Sequence, residues 1–395
     1  MNLSRCKHIV FSLVAGGLLL VGFFLIVDGA PRIARADPGD LFVTTDGTGT
    51  DCTQANPCSL QTALAQANDG DTVYLATGTY TGTGAAVITV TRNITLYGGW
   101  DGSSSGPVVR DPDAYPTTLD GEGTRRVVYI NGSITPTVDG FIITGGNAGS
   151  VVTDPGRGGG IYSKDAAPII TNNVITNNIA YTGTATYGHG GGICLIGASA
   201  SALISGNIII GNTANPVGPG KGGGLTIYGS AATISGNFFQ SNVAGFTSNS
   251  AGGGLYLGSS PAIVSGNLFR GNKATFTGSG FGGGLHTQFG NVVLSGNIVV
   301  SNTSSYGALT FEGNARITMT NNVIARNVGG VFVRGNATFP FAGTLVHNTI
   351  VQNGSEGVYV GWYVSGHSSL TGLTQLAAER QPPCLATERG QASRR

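Results

Sequence analysis

From Asn173 to Asn353 the hydrophobic and polar positions follow one order: an apolar residue, a small polar pair, Asn, a short apolar run, and a second Asn five positions after the first. The pairs are Asn173/Asn178, Asn207/Asn212, Asn237/Asn242, Asn267/Asn272, Asn297/Asn302, Asn322/Asn327 and Asn348/Asn353. Ile170, Ile204, Ile234, Val264, Leu294, Met319 and Leu345 stand three before the first Asn, and Ile175, Ile209, Phe239, Phe269, Val299, Ile324 and Ile350 two after it. Apolar pieces this short, alternating with Gly and Asn corners, read as strands and not helices. Two apolar columns facing one interior require a chain that coils, each coil pairing in parallel with the next at about 4.8 Å. The pattern predicts an all-β parallel β-helix, a single-stranded solenoid, over about residues 131–364. One coil cannot bury its own inner face, so stability should grow coil by coil.

The corners carry their own signals. Gly158-Gly159-Gly160, Gly190-Gly191-Gly192, Gly222-Gly223-Gly224, Gly252-Gly253-Gly254 and Gly282-Gly283-Gly284 are each followed by a bulky apolar residue. A phosphate cradle would need a helix N-terminus after the glycines. Here a strand follows, so they are expected to be corners with positive φ and close coil approach. Asn207, Asn212, Asn237, Asn242, Asn267, Asn272, Asn297 and Asn302 are read as structural ladders, because Asn tolerates left-handed backbone and its amide can bond identical neighbours above and below.

Outside the repeat the pattern changes. Arg5 and Lys7 precede an apolar run from Ile9 to Val27, and Ala34-Arg35-Ala36 offers a small-x-small cleavage site. Residues 1–36 are therefore an export signal, with an uncleaved signal anchor as the alternative, since the run is long enough to span a bilayer. Residues 37–130 read as an N-terminal cap and first irregular coils. Ser59 is the expected N-cap of a short helix through Ala67, and β-like pieces follow at Thr72–Leu75, Val87–Val90 and Ile94–Tyr97. A cap suits a solenoid, whose open end would otherwise expose strand edges. Cys52 and Cys58 are close enough to close a small disulfide loop in an oxidising compartment, with two free thiols as the alternative. Residues 365–395 abandon the repeat as a tail.

The chain resembles the right-handed parallel β-helix proteins of the pectin-lyase-like superfamily. Its repeats are similar to those of polymorphic outer membrane proteins, whose signature is Gly-Gly-Ala-aliphatic followed by Phe-x-x-Asn. Phe239-Gln240-Ser241-Asn242 and Phe269-Arg270-Gly271-Asn272 match the second element, while Gly-Gly-Gly replaces the first. Pro57 to Leu64 with Asn68 to Val73 looks like the start of many exported bacterial β-helix proteins. The resemblance implies a fold and an exported location more than any reaction.

Charge narrows the function classes. A net charge of +1 without a basic block in the repeats gives no footprint for nucleic acid. Between Asp165 and Glu312 there is no Asp or Glu. Superfamily members that hydrolyse polygalacturonate use clustered aspartates, and pectate-type lyases hold calcium with carboxylates beside a cationic base. Neither set can be built in that stretch, and the five scattered His supply no metal cluster, so no cofactor or metal is called for. Asp139 and Asp165 are placed to approach one another, though turn roles suit them. Arg270, Lys273 and His286 are the residues a metal-free lyase would use.

One column remains. The second residue after each triple glycine should point away from the core. That places Tyr162, Cys194, Thr226, Tyr256 and His286 outside, continued by Thr310, Phe332 and Tyr359. Tyr162, Tyr256, His286, Phe332 and Tyr359 are expected as an exposed glycan-stacking face, against the alternative that aromatics simply favour strands. Inserts at Tyr181–His189, Asn215–Lys221, Gly245–Ala251 and Thr275–Phe281 should stack into a wall along one seam. The expectation is an exported, non-catalytic protein that contacts polysaccharide or cell-envelope components, reaching membrane only through its N-terminal segment. A polysaccharide lyase or hydrolase and a structural envelope spacer are the alternatives.

Overall fold

A computed structural model describes residues 32–34 and 39–371, apart from 185, 199, 248, 314, 336–341, 355–356 and 361–368. The apolar run at 9–27, Arg35 and Ala36 of the cleavage site, Cys6, Cys384 and most of the tail lie outside the described residues.

The chain coils through three long sheets. Sheet 1 takes the strands before each first Asn, among them Ala202–Ser205, Ala232–Ser235 and Ala262–Ser265. Sheet 2 takes the strands between the paired Asn, such as Ile208–Ile210, Phe238–Gln240 and Leu268–Arg270. Sheet 3 takes the strands after the triple glycines, such as Leu225–Tyr228, Leu255–Gly258 and Leu285–Gln288. Successive coils pair in parallel and in register, Ile204 opposite Ile234 and Val264 in sheet 1. Both apolar columns named from the sequence face one interior and, with sheet 3, form a continuous core. Phe239 and Phe269 stack inside it with centroids 4.7 Å apart.

Coiling begins before the Asn pattern does. Thr72–Ala76, Gly78–Tyr80 and Ala86–Val90 already contribute one strand to each sheet. Ahead of them, helix Leu60–Gln66 starts at Ser59, whose hydroxyl accepts the N–H of Thr62, and inserts Leu60 and Ala63 into the end of the core. Strand Asp40–Val43 pairs with Thr72–Ala76, and Cys52 is bonded to Cys58 beneath this cap. At the other end sheet 1 takes a last strand at Ser369–Thr371, in a segment that has no Asn pair.

The paired asparagines point inward. Asn237 Nδ2 donates to the carbonyl of Ile204 at 2.8 Å and to Asn267 Oδ1 at 3.0 Å, while Asn237 Oδ1 accepts the backbone N–H of Asn207 at 2.9 Å. The same pattern repeats at Asn242. A buried amide with every polar atom bonded rigidifies a corner instead of destabilising it. One expectation is corrected: the left-handed residue is the one before each Asn, as at Gly236 (φ 63°) and Ser241 (φ 52°). That residue makes the turn so that the Asn side chain can enter the core.

The triple glycines divide two tasks. Gly252 supplies a positive φ of 67°. Gly253 and Gly254 instead lie against the next coil, where a Cβ on Gly253 would stand 2.4 Å from the Gly283 carbonyl oxygen.

Candidate functional site

The inserts make the site. The Asn-to-Asn interval is 34 residues from Asn173 to Asn207, 30 through Asn237, Asn267 and Asn297, and 25 from Asn297 to Asn322. The extra residues fold back as Gly188–His189, Gly220–Lys221, Ser250–Ala251 and Gly280–Phe281, a four-stranded parallel sheet just ahead of the triple glycines. Bridges from Arg157 to His189 and from Phe281 to Tyr306 extend it at both ends. It is the wall expected from the insert lengths.

The returning strands lean over sheet 3. Lys221 Nζ lies 3.1 Å from the Tyr256 hydroxyl and 5.3, 5.7 and 4.8 Å from the ring centroids of Tyr187, Tyr228 and Tyr256. Tyr256 donates in turn to Gln288 Oε1 at 2.8 Å. His286 stacks on Tyr256 at 5.3 Å, meets the Phe281 edge at 6.0 Å and places Nε2 3.8 Å from Glu312 Oε2. Arg334 reaches the other oxygen of Glu312 at 3.5 Å. The chain of rings continues through Phe281, Tyr306, Phe332 and Tyr359. Gly258 makes room for it: a Cβ there would sit 2.9 Å from the Tyr228 ring and 3.0 Å from that of Tyr256.

The expected exposed column is therefore corrected. Tyr162, Cys194, Thr226, Tyr256 and Thr310 point away from the core and in register, yet each is 0% exposed, and His286 is 2% exposed. The wall covers them, Arg157 over Tyr162, Lys221 over Tyr256 and Phe281 over His286. Phe332 and Tyr359, beyond the last insert, are only half-buried. Solvent instead meets Tyr187, Tyr228, Lys221, Gln288, Tyr306 and Arg334, which the sequence reading did not select. For Tyr187 and Lys221 the signal was a bulky or charged residue within an insert, and for Tyr228 and Gln288 it was the fourth position after a triple glycine; Tyr306 and Arg334 carry neither.

Burial sets the protonation states. The His286 imidazole is pushed down to about 3, first by desolvation and then by the Lys221 charge. His189 falls to about 4 through burial, with Lys221 and Arg157 adding to it. Desolvation raises the Tyr256 hydroxyl far above the ordinary phenol range, with Tyr228 and Glu312 adding to it. It also raises Glu312, against the opposing pull of Arg334 and Lys221. At neutral pH the floor is thus made of neutral imidazoles and protonated phenols. Lys221 and Arg334 are the cations at its surface near Glu312. Arg157 and Lys164 share Asp154 nearby, at 3.3 and 3.1 Å.

Other residues singled out from sequence do not converge. Arg270 ends a strand of sheet 2, Lys273 lies 3.8 Å over the Phe276 ring, and His286 is under the wall on sheet 3. Asp139 binds the Arg110 guanidinium and accepts from Thr171 and Asn172 at 2.6 and 2.7 Å, whereas Asp165 sits at a left-handed turn. Among the described residues no three of His, Cys, Asp and Glu stand together as metal ligands.

The family described as right handed beta helix region matches residues 124–372. Pectate lyase Pel9A is similar at 15% identity, covering 88% of this chain and 80% of its own, with a TM-score of 0.39. The PL6 family alginate lyase AlyGC is similar at 14% identity over 85% of this chain, with a TM-score of 0.42, and the match spans 51% of that enzyme. The mannuronan C-5 epimerase AlgE4 A-module of Azotobacter vinelandii is similar at 14% identity, covering 85% of this chain and 89% of its own, with a TM-score of 0.35. No curated protein has a significant sequence match to the chain.

Proposed function

The chain belongs to the right-handed β-helix family, and from that premise we propose that it is an exported, non-catalytic protein that binds an acidic polysaccharide along the outer face of sheet 3. The observation that carries the reading is Lys221, held by Tyr187, Tyr228 and Tyr256 at the rim of the wall. A fixed ammonium bordered by partly exposed rings suits a sugar carboxylate beside an apolar pyranose face. Arg334, two registers on from Gln288, offers a second cation along the same column. The disulfide between Cys52 and Cys58 supports an oxidising compartment.

The non-catalytic part rests on access. A general base must touch the proton it removes. Tyr256 and His286 are covered, and the Tyr256 phenol holds its proton far above neutral pH. The test is a panel of uronate-containing and neutral polysaccharides against wild type, Lys221→Met, Tyr228→Ala and the distant control Arg316→Gln. The expected result is uronate binding that weakens with salt and drops about tenfold in Lys221→Met, about 1.4 kcal/mol. Equal binding by all four proteins would remove the face from the proposal. Unsaturated ends detected in the ultraviolet, produced by wild type and lost in Lys221→Met, would overturn the non-catalytic half.

A further inference from the structure

Sheet 2 presents a surface of another kind. Its outward column runs Val174, Ile208, Phe238, Leu268, Ile298 and Val323, six consecutive coils in register. Ile208 is 42% exposed and Ile298 46%. At the coil spacing of parallel strands the stripe is about 24 Å long. A sheet with one face on the core ordinarily turns polar residues outward, and the inner column of Ile209, Phe239, Phe269 and Val299 already supplies the core. Past the corner that ends these strands, the insert loops carry Phe246 and Phe276, stacked at 5.7 Å and 42% and 54% exposed. A contiguous apolar surface of this length marks a contact site.

The charges beside it choose the partner. Arg270 and Arg326 are exposed at the ends of sheet 2 strands, and Lys273 follows one corner later. Between residues 166 and 353 the sequence has one acid, Glu312, and that lies on sheet 3 beside His286. A second copy docked through this face would bring cations against cations with no carboxylate to separate them. A bilayer carrying anionic headgroups meets both features: aliphatic and phenyl tips enter the headgroup boundary, and Arg and Lys meet the phosphates. We infer that sheet 2 is a peripheral docking face for an anionic lipid surface. Among the described residues no helix is long and apolar enough to cross a membrane; this contact is made by the outer face of sheet 2 alone. It stands on a different sheet from the glycan face and does not rest on that reading.

The test uses the full chain and reads orientation, because an apolar run at 9–27 would attach the protein to any vesicle. Ile298→Trp and Val323→Trp probe sheet 2, and Tyr187→Trp probes the wall, each against the unsubstituted chain for background. Vesicles are phosphatidylcholine with or without phosphatidylserine, made with brominated acyl chains. The expected result is a blue shift and bromine quenching at both sheet 2 positions, only with phosphatidylserine, and neither at position 187. Adding Arg270→Gln and Lys273→Gln should lower the ratio of docked to undocked sheet 2 on the phosphatidylserine vesicles about twenty-five-fold, about fivefold per cation, read as loss of the quenching. Equal quenching on both faces, or none on sheet 2, overturns the inference. So does a blue shift without vesicles accompanied by a doubled mass in ultracentrifugation, which would make the occupant a second copy.

Discussion

Asn267→Ala isolates what the ladder contributes. Asn267 Oδ1 accepts the backbone N–H of Asn237 at 2.9 Å and its Nδ2 at 3.0 Å. Asn267 Nδ2 donates to Ile234 O at 2.9 Å, Ser265 O at 3.1 Å and Asn297 Oδ1 at 3.0 Å. After truncation Asn237 Nδ2 keeps its bonds to Ile204 and Ser235, and Asn297 Oδ1 keeps the Asn267 N–H. The buried N–H of Asn237 loses its side-chain acceptor, at about 1–3 kcal/mol, and the carbonyl of Ile234 loses a donor at about 1 kcal/mol. The expected loss is therefore about 3 kcal/mol. Ser265→Ala, two residues before on the outer side of the corner, should cost under about 0.5 kcal/mol. Urea unfolding followed by circular dichroism gives the size, and amide hydrogen exchange gives the place, since a solenoid transmits damage mainly to neighbouring coils. Protection should fall around Asn237 and Asn297 while the capping helix keeps its own. A loss below about 1 kcal/mol, or one spread evenly along the chain, would refute the view that the amides fix the corners.

Two further tests address backbone and protonation. Gly253→Ala should prevent the middle coils from stacking, because its Cβ meets backbone 2.4 Å away, whereas Gly236→Ala, with open space but φ 63°, should cost about 1–2 kcal/mol; similar urea midpoints for the two would contradict the close-approach argument. His189 and His286 are held neutral in the fold at about 4 and 3. The unfolded chain therefore binds more protons below its ordinary histidine value. Stability is complete above about pH 6.5 and falls as pH drops, by up to about 1.4 kcal/mol per pH unit for each imidazole. Glu312, raised by burial, works in the opposite sense nearer its own range, so the slope is best read between about pH 5.5 and 6.5. His286→Gln should remove about half of that slope, and an unchanged slope would mean that His286 already protonates in the fold.

The solenoid was legible because its rules repeat. Paired Asn five apart and two apolar columns leave few chain paths, and the cap announced itself through Ser59 and the short helix. The coils before residue 131 were harder to place, since Thr72–Ala76 and Gly78–Tyr80 carry the strands without the asparagines. The outward direction of Tyr256 and His286 followed from strand alternation, but their burial did not. Alternation tells which side of a sheet a residue takes, and says nothing of a second layer built from residues such as Lys221 and Phe281 that approach from the preceding insert. Glu312 was seen only as the end of an acid-free stretch; its closeness to His286 depends on the shortened interval that brings the next coil into register.

That shortening reaches beyond packing. From Asn297 to Asn322 the coil drops to 25 residues and has no insert to lay over sheet 3. The upstream coils have a full roof, while Phe332 and Tyr359 keep part of their surface open to solvent. A nearly uniform cylinder thereby acquires a front and a back along its axis. A polymer lying lengthwise would meet a rim of Arg157, His189 and Lys221 at one end and an open shelf of rings at the other. Its two orientations would not be equivalent.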